Sequence, residues 1–386
     1  MTLLDAPRPA APPAAEVPGA PQVPRRIARG DGDAPVAVVS SAVGALALTW
    51  LLFERLLPAS GVVGFWVSWY LAFVLVYAAV TALRHDRRDV ADRIAGVLFT
   101  SAGVAVFSVV ALVVGYTAYR GWRVIRPSFF TQTMATTGPL DPVGTGGVAH
   151  AVVGTLEQIA LALAICVPLG IAAALFLNEV RGPLARPVRM LVDAMSAIPS
   201  IVAGLFVLAT VILALGFNKS GFAASLAIAV EMLPVVTRSA ELVFRLVPGG
   251  LREAATALGS TQWRTVWQVV LPTARAGLAT TVVLGIARGI GETAPVLLVS
   301  GFTSDLNTDP FHGPQVSLPL YILTYVKYPQ DAMITRAYGA ALALLITVLV
   351  LFVIARVVGG SGPATPGRRQ RRRQAAGRRP STVEDA

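Results

Sequence analysis

The feature of this sequence that most constrains its fold is a series of long apolar runs. About 18 to 20 apolar residues are enough for a helix to cross the roughly 30 Å hydrocarbon core of a membrane. Only 14% of the 386 residues are charged, against about 25% in a soluble domain. The sequence therefore predicts an all-α membrane protein, a polytopic helical bundle. Its eight predicted spans lie near residues 35–53, 61–83, 94–117, 148–177, 190–215, 221–237, 277–300 and 338–357.

The positions of the basic residues predict the orientation. Cytoplasmic segments of membrane proteins are enriched in Lys and Arg, and a cytoplasmic N-terminus places most of the 32 Lys and Arg residues on that side. The weakest span, 221–237, contains Glu231 and Pro234, and a count of seven spans is the alternative. Three basic residues of a predicted outer loop are exceptions to the trend, Arg120, Arg123 and Arg126. We predict a multi-pass protein of the cell membrane with both termini cytoplasmic.

The two ends of the chain lack apolar periodicity. Residues 1–34 are rich in Pro and Ala, which is typical of a disordered segment. Residues 359–386 form a basic tail, which we interpret as a solvated cytoplasmic segment close to anionic membrane lipid. Nucleic-acid binding is the alternative, but the tail has no aromatic residues among its arginines. We therefore expect membrane lipid, and no nucleic acid, as a partner.

Residues suited to catalysis and metal binding are scarce. The three histidines are far apart in the sequence and the single cysteine lies in a predicted span, so we expect no metal site and no disulfide. A nucleotide-binding P-loop needs Gly-Lys followed by Ser or Thr, and neither of the two lysines follows a glycine, Lys219 and Lys327. We expect no enzyme activity and no cofactor in this chain. If ATP drives the protein, another chain must hydrolyse it.

The predicted cytoplasmic loop 238–276 contains the segment EAATALGSTQWRTVWQVVLP. Its first part consists of strong helix formers, Gly259 can end that helix, and Ser260 can cap the next one. Two short helices joined at a glycine predict a compact projection that fits a partner's groove. An amphipathic helix pair without a partner is the alternative. The positions that define the segment are Glu253, Ala254, Ala255, Gly259, Leu271 and Pro272.

This loop and four further segments resemble a known family. The loop matches the EAA pattern of ABC importer permeases at every fixed position, with Val269 in place of the usual isoleucine. The segments at 171–207, 220–255, 287–298 and 317–329 resemble the phosphate ABC transporter permeases, and GETAP at 291–295 resembles their PstA type. The resemblance covers roughly residues 90–358. Residues 35–83 form two extra predicted transmembrane helices, to which we assign no role.

The resemblance implies a type I ABC importer (MetI-like) transmembrane domain with six helices over residues 90–358. It implies a homologous phosphate permease subunit, a dimer of ATP-binding subunits that holds ATP and Mg²⁺, and an extracytoplasmic phosphate-binding protein as partners. The substrate would be inorganic phosphate. One alternative is an importer permease for another tetrahedral oxyanion, such as sulfate or molybdate. The other is a secondary transporter or channel subunit outside the ABC class.

Two charged residues four positions apart interrupt the apolar run 278–300, Arg288 and Glu292. At 100° per residue they would share one helix stripe with Thr281, Gly285 and Pro295, opposite Ile286, Ile290 and Leu297. The two charges would offset the insertion energy of about ten apolar residues, so a role other than insertion is expected. We predict a phosphate path formed by Arg288, Glu292, Thr281 and Glu231, because guanidinium matches phosphate oxygens bidentately. An ion pair that only locks helix packing is the alternative, and Glu231 is equally compatible with pairing to a neighbouring helix.

Overall fold

A computed structural model describes residues 33–56, 61–180 and 182–359. The predicted tails, 1–34 and 359–386, fall almost entirely outside these residues. All regular secondary structure in the described part is helical, which confirms the predicted all-α class. The chain divides into two units, one up to Val110 and one from Ala111.

The first unit contains α1 (Asp33–Leu51), α2 (Val62–Ala82) and the first part of α3 (Arg87–Gly121). A π-helical turn, Leu52–Leu56, continues α1. Helices α1 and α2 pack through Ala45, Phe73 and Tyr77, and the indole of Trp69 donates to the carbonyl of Ala42 at 3.1 Å. The apolar runs predicted at 35–53, 61–83 and 94–117 therefore coincide with three long helices.

The second unit contains the end of α3 and eleven further helices in the described residues. They are α4 (Pro127–Thr131), α5 (Ala149–Glu179), α6 (Ala185–Ser196), α7 (Ser200–Val207), α8 (Gly221–Arg245), α9 (Gly249–Ala257), α10 (Gln262–Thr265), α11 (Leu271–Gly289), α12 (Ala294–Val299), α13 (Leu318–Tyr325) and α14 (Asp331–Gly359). Helix α8 packs between α5 and α11, and most of its residues are buried. Small residues allow this close approach: a Cβ on Gly170 of α5 would lie 2.7 Å from Val236, and one on Gly285 of α11 would lie 3.0 Å from the same side chain.

By length and composition, fewer helices of the described residues qualify as membrane spans than the eight predicted. In the described residues six helices are long and apolar enough to cross a membrane, or seven if α6 and the helix from Ser200 to Ala214 count as one span bent by 107°. The span predicted at 190–215 corresponds to this bent pair. Pro199 is the N-cap of the helix that starts at Ser200, and proline cannot donate the hydrogen bond that would continue the preceding helix. The span predicted at 221–237 lies within α8, which is helical but is not among the six.

The span predicted at 277–300 is also displaced. The corresponding apolar helix runs over residues 262–289, and α11 ends at Gly289. A turn of four residues separates it from α12, which begins at Ala294. The sequence Gly-Ile-Gly at 289–291 favours this break, because glycine lowers helix stability by about 1 kcal/mol relative to alanine.

Each of the three arginines that oppose the predicted charge trend has a local partner. Arg120 pairs with Asp331 at 3.2 Å, Arg123 lies over the ring of Tyr119, and Arg126 donates to the carbonyl of Val143 at 2.7 Å. These local contacts explain why three arginines occur in a segment predicted to lie on the outer side.

Gly339 of α14 supports a stability prediction. A Cβ there would overlap Val124 and lie 3.0 Å from the ring of Phe129, whereas a Cβ on Gly115 of α3 would meet no atom within 4 Å. Overpacking destabilises by about 1–3 kcal/mol, so Gly339→Leu should lower the melting temperature of the detergent-solubilised protein by roughly 5 °C. Gly115→Leu is the matched control and should leave it unchanged. Equal melting temperatures for the two variants would contradict the packing described here.

Candidate functional site

Three charged side chains meet where α11 ends. Arg288 precedes the last residue of α11, Glu292 lies in the following turn, and Glu231 lies in the middle of α8. The guanidinium Nη2 of Arg288 donates to Oε2 of Glu231 at 2.8 Å, and its Nη1 lies 3.1 Å from Oε1 of Glu292. One guanidinium therefore bridges two carboxylates from different segments. We call these three residues the Arg288 cluster.

Burial differs sharply within the Arg288 cluster. The side chain of Arg288 is 47% exposed, whereas those of Glu231 and Glu292 are 7% and 10% exposed. The carboxylates are thus covered and the guanidinium presents an open side. A guanidinium carries five N–H donors, so Arg288 can hold both carboxylates and still offer donors to an anion. With both carboxylates ionised the cluster has one cation and two anions. Its net charge therefore does not by itself attract an anion.

The close approach of α11 to α8 builds this arrangement. A Cβ on Gly289 would lie 2.5 Å from Met232 and 2.9 Å from Ile228, both on α8. Because Gly289 has no side chain, the end of α11 contacts α8 directly and Arg288 can reach Glu231. The amide of Glu292 then donates to the carbonyl of Gly289 at 3.1 Å, and this turn brings Glu292 back towards Arg288.

The predicted single helix stripe is wrong beyond Gly289. Thr281 is buried and its hydroxyl donates to the carbonyl of Gly277 at 3.3 Å, roughly 10.5 Å along α11 from Arg288. It is therefore not part of the Arg288 cluster. Ile286 and Ile290, expected on the opposite side, are only 3% and 4% exposed, and Pro295 is buried in α12. The structure instead brings Arg288 and Glu292 together with Glu231.

The EAA loop forms a second candidate site. Helix α9 ends before Gly259, whose φ of 78° lies in the left-handed region that glycine adopts readily. We call α9, α10 and the turn between them the loop projection. The hydroxyl of Thr261, and not that of Ser260, caps α10 by accepting from the amide of Arg264 at 3.4 Å. The cap was therefore predicted one residue too early, whereas the two short helices and their break at Gly259 are as predicted.

A π-helical segment, Val266–Val270, joins α10 to α11. Leu271 and Pro272 are the first two residues of α11 and so lie after the loop projection. Glu253, Ala254 and Gly259 are exposed on it, and Ala255 is half-buried. The residues predicted to couple to a partner thus divide between the projection and the start of the helix that carries Arg288.

Glu179, the last residue of α5, attaches the loop projection to the bundle. Its carboxylate pairs with Arg252 of α9 at 3.0 Å, and its carbonyl accepts from Nε2 of Gln262 of α10 at 3.0 Å. Arg252 also donates to the carbonyls of Phe244 and Val247. Sequence reasoning did not find this role for Glu179; an acidic residue at the end of a predicted span was the only available signal.

Large apolar side chains are exposed on the loop projection and just after it. Leu258 is 89% exposed and Trp263 70% exposed, and Leu251 and Trp267 are also exposed. Exposed apolar patches of this kind mark interaction surfaces. Among the described residues, no three His, Cys, Asp or Glu side chains converge in a way that could hold a metal ion.

Comparison with known proteins identifies the family. Residues 166–360 match the model of the binding-protein-dependent transport system inner membrane component family. The chain belongs to this family. It is 41% identical over 286 residues to the phosphate transport system permease protein PstA 1 of Mycobacterium tuberculosis, covering 74% of this chain and 92% of that protein. It is 42% identical over 264 residues to PstA of Mycobacterium leprae, covering 68% and 86%. The predicted resemblance to PstA-type permeases is confirmed.

A solved structure of the MetNI methionine ABC transporter in an inward-facing conformation is also similar, at 21% sequence identity and a TM-score of 0.41. The match covers 55% of this chain and 91% of that one. The family and the long apolar helices make this chain a multi-pass permease subunit of an ABC transporter.

Proposed function

We propose that this chain is the membrane subunit of an ATP-driven importer of inorganic phosphate. The observation that carries the proposal is the Arg288 cluster, in which a half-exposed guanidinium is held by two covered carboxylates. Intramembrane ionisable residues of this kind mark substrate paths, and guanidinium binds phosphate oxygens in a fork. The relatives named as phosphate transport permeases support phosphate as the substrate.

In the proposed mechanism Arg288 attracts and orients the anion on its open side. Glu231 and Glu292 accept hydrogen bonds from Arg288 when the path is empty, which offsets part of the cost of burying the guanidinium. When phosphate is present, either carboxylate can accept a hydrogen bond from a phosphate hydroxyl, because phosphate near pH 7 is still protonated. Sulfate has no proton to donate, so the same carboxylates repel it.

The loop projection is the proposed contact with the ATP-hydrolysing partner. Its exposed Glu253, Ala254 and Leu258 would sit in a groove of an ATP-binding subunit. Two such subunits would form a dimer that holds ATP and Mg²⁺. Movement of the projection would reach Arg288 through the π-helical segment and α11. The remaining proposed partners are a homologous permease subunit and an extracytoplasmic phosphate-binding protein. In the proposed orientation, the loop projection and both termini of this chain lie in the cytoplasm.

Glu292→Gln should relax selectivity against sulfate. The substitution keeps the shape of the side chain and its ability to accept a hydrogen bond, but removes the negative charge. About a tenfold excess of sulfate should then reduce phosphate uptake by roughly half, whereas it should leave the unsubstituted transporter unaffected. Asp331→Asn, which removes an exposed carboxylate paired with Arg120, is the control. If sulfate fails to compete in Glu292→Gln, this carboxylate does not act as a filter.

Reconstitution tests the proposed function as a whole. The chain would be co-expressed with its permease and ATP-binding partners and placed in proteoliposomes with the phosphate-binding protein outside. Uptake of labelled phosphate should require ATP on the side of the loop projection and should persist when a protonophore dissipates the proton gradient. Uptake that continues without ATP but stops with the protonophore would instead show a secondary transporter. Uptake of sulfate or molybdate in preference to phosphate would show a different oxyanion importer.

A further inference from the structure

Three arginines of α6 and α8 converge on one buried carboxylate, that of Glu241. Nη2 of Arg189 and Nη2 of Arg245 lie 2.8 Å and 2.6 Å from Oε1 of Glu241, and Nη1 of Arg238 lies 3.9 Å from Oε2. Arg238 also pairs with Asp193. We call these five residues the Glu241 cluster. It combines three cations with two anions and so carries a net positive charge.

The Glu241 cluster shares the burial pattern of the Arg288 cluster. The Glu241 side chain is 4% exposed, whereas the arginine side chains are 39%, 42% and 53% exposed. One arginine is enough to neutralise Glu241 and another to neutralise Asp193. A cluster that served only to join α6 to α8 would not need a third cation. The surplus arginine and the open guanidinium faces leave donors free for an anion.

One residue of the Arg288 cluster, Glu231, and two of the Glu241 cluster, Arg238 and Arg245, lie on one face of α8. Glu231, Arg238 and Arg245 are seven residues apart, so successive members are rotated by only about 20° and separated by about 10.5 Å along the helix. The face therefore runs from the Arg288 cluster to the end of α8, from which the loop projection follows. An anion that leaves Arg288 towards that end would meet Arg238 next and Arg245 last.

We propose that the Glu241 cluster is a binding site for a phosphate group, at which phosphate released from Arg288 is held before it enters the cytoplasm. The inference rests on the proposed function, because that function supplies the anion and the direction. Arg189 and Arg245 bind the phosphate oxygens through their guanidinium forks, and Glu241 keeps the two forks in place. The headgroup of an anionic phospholipid has the same chemistry and is the other source of such a group.

Protection from chemical modification tests this site directly. The complete transporter, free of nucleotide and reconstituted in discs of zwitterionic lipid, is treated with the arginine reagent phenylglyoxal, and modified residues are identified by mass spectrometry. Inorganic phosphate should slow modification of Arg189 and Arg245 several-fold, and chloride at equal ionic strength should not. Arg356, an exposed arginine near the end of α14, is the internal control and should not be protected.

Two substitutions keep Glu241 neutralised and so allow the complex to fold. Arg245→Gln leaves Arg189 on Glu241, and Arg189→Gln leaves Arg245. Each should raise the phosphate concentration that protects the remaining arginine by about tenfold or more, because a hydrogen bond to a charged group is lost. Arg356→Gln should change nothing. The same preparations are assayed for ATP-driven phosphate uptake, so that a transporter that imports no phosphate contradicts the proposed function independently of the protection result.

Three outcomes would overturn the inference even if phosphate is imported. They are absence of protection by phosphate, equal protection at Arg356, and an unchanged protecting concentration in both variants. Discs containing phosphatidylglycerol separate the two sources of the phosphate group. Protection that appears only with this lipid, and not with inorganic phosphate, would assign the cluster to a headgroup and overturn its role as an exit site.

Discussion

Arg288→Lys is expected to lower phosphate uptake by about ten- to a hundredfold while leaving the protein in the membrane. Lysine keeps the positive charge but has one ammonium in place of a planar fork. It cannot reproduce at once the 2.8 Å contact to Glu231, the 3.1 Å contact to Glu292 and a bidentate contact to phosphate. Loss of one or two hydrogen bonds between charged groups accounts for the expected factor. Uptake of labelled phosphate, divided by the amount of protein in the membrane, measures it.

Arg288→Gln separates the role of Arg288 in stability from its role in transport. Without the cation, two carboxylates that are 7% and 10% exposed are left uncompensated, which destabilises by about 3–5 kcal/mol. The amount of protein in the membrane should therefore fall. Adding Glu231→Gln and Glu292→Gln should restore the amount but not the uptake. If the triple variant transports phosphate at the original rate, the Arg288 cluster only locks α8 to α11.

Local sequence patterns predicted the parts of the sites that lie close together in the chain. The helix formers before Gly259 and the glycine itself specify α9 and its end, and the structure shows both. The pairing of Arg288 with Glu292 agrees with their helical spacing, although a turn closed by the amide of Glu292 on the carbonyl of Gly289, and not a continuous helix, brings them together. These features depend on backbone preferences of a few residues, which the sequence contains.

The contacts between helices could not be predicted in the same way. Glu231 is 57 residues from Arg288, and its pairing depends on the close contact of Gly289 with Met232 and Ile228. The same holds for Glu179, which contacts Arg252 and Gln262 far along the chain. No pattern within one span shows which helix packs against it. A glycine in an apolar run indicates that some backbone comes close, but not which one.

The broken helices show a related difficulty. Pro168 and Pro234 lie inside continuous helices, α5 and α8, whereas Pro199 is the N-cap of a new helix, α7, after a sharp bend. A proline in a membrane helix can be accommodated when neighbouring groups satisfy the freed carbonyl. The presence of a proline therefore does not predict which of the two occurs, because the surrounding packing decides between a continuous helix and a break.

Gly259→Val is expected to abolish ATP-driven uptake at an unchanged amount of protein in the membrane. A side chain at this position would meet no atom within 4 Å, so the substitution causes no clash and should not disturb the bundle. Its effect lies in the backbone, because the φ of 78° is unfavourable by about 1–2 kcal/mol for a residue with a Cβ and by more for a β-branched one. The turn should then open and separate α9 from α10, and the projection would no longer fit its partner.

Gly250→Val is the matched control for this prediction. Gly250 lies in the first turn of α9, a Cβ there also meets nothing within 4 Å, and its φ is not in the left-handed region. The two variants therefore introduce the same side chain near the same surface and differ in the backbone conformation that it must adopt. Gly259→Asn should retain much of the uptake, because asparagine tolerates left-handed backbone better than valine. Equal uptake in Gly259→Val and Gly250→Val, with the ATP-binding subunit co-purifying in both, would show that the turn at Gly259 does not transmit the movement. Loss of uptake in Gly259→Val alone, with phosphate still protecting Arg189 and Arg245 from modification, would place the defect in coupling and leave the anion path intact.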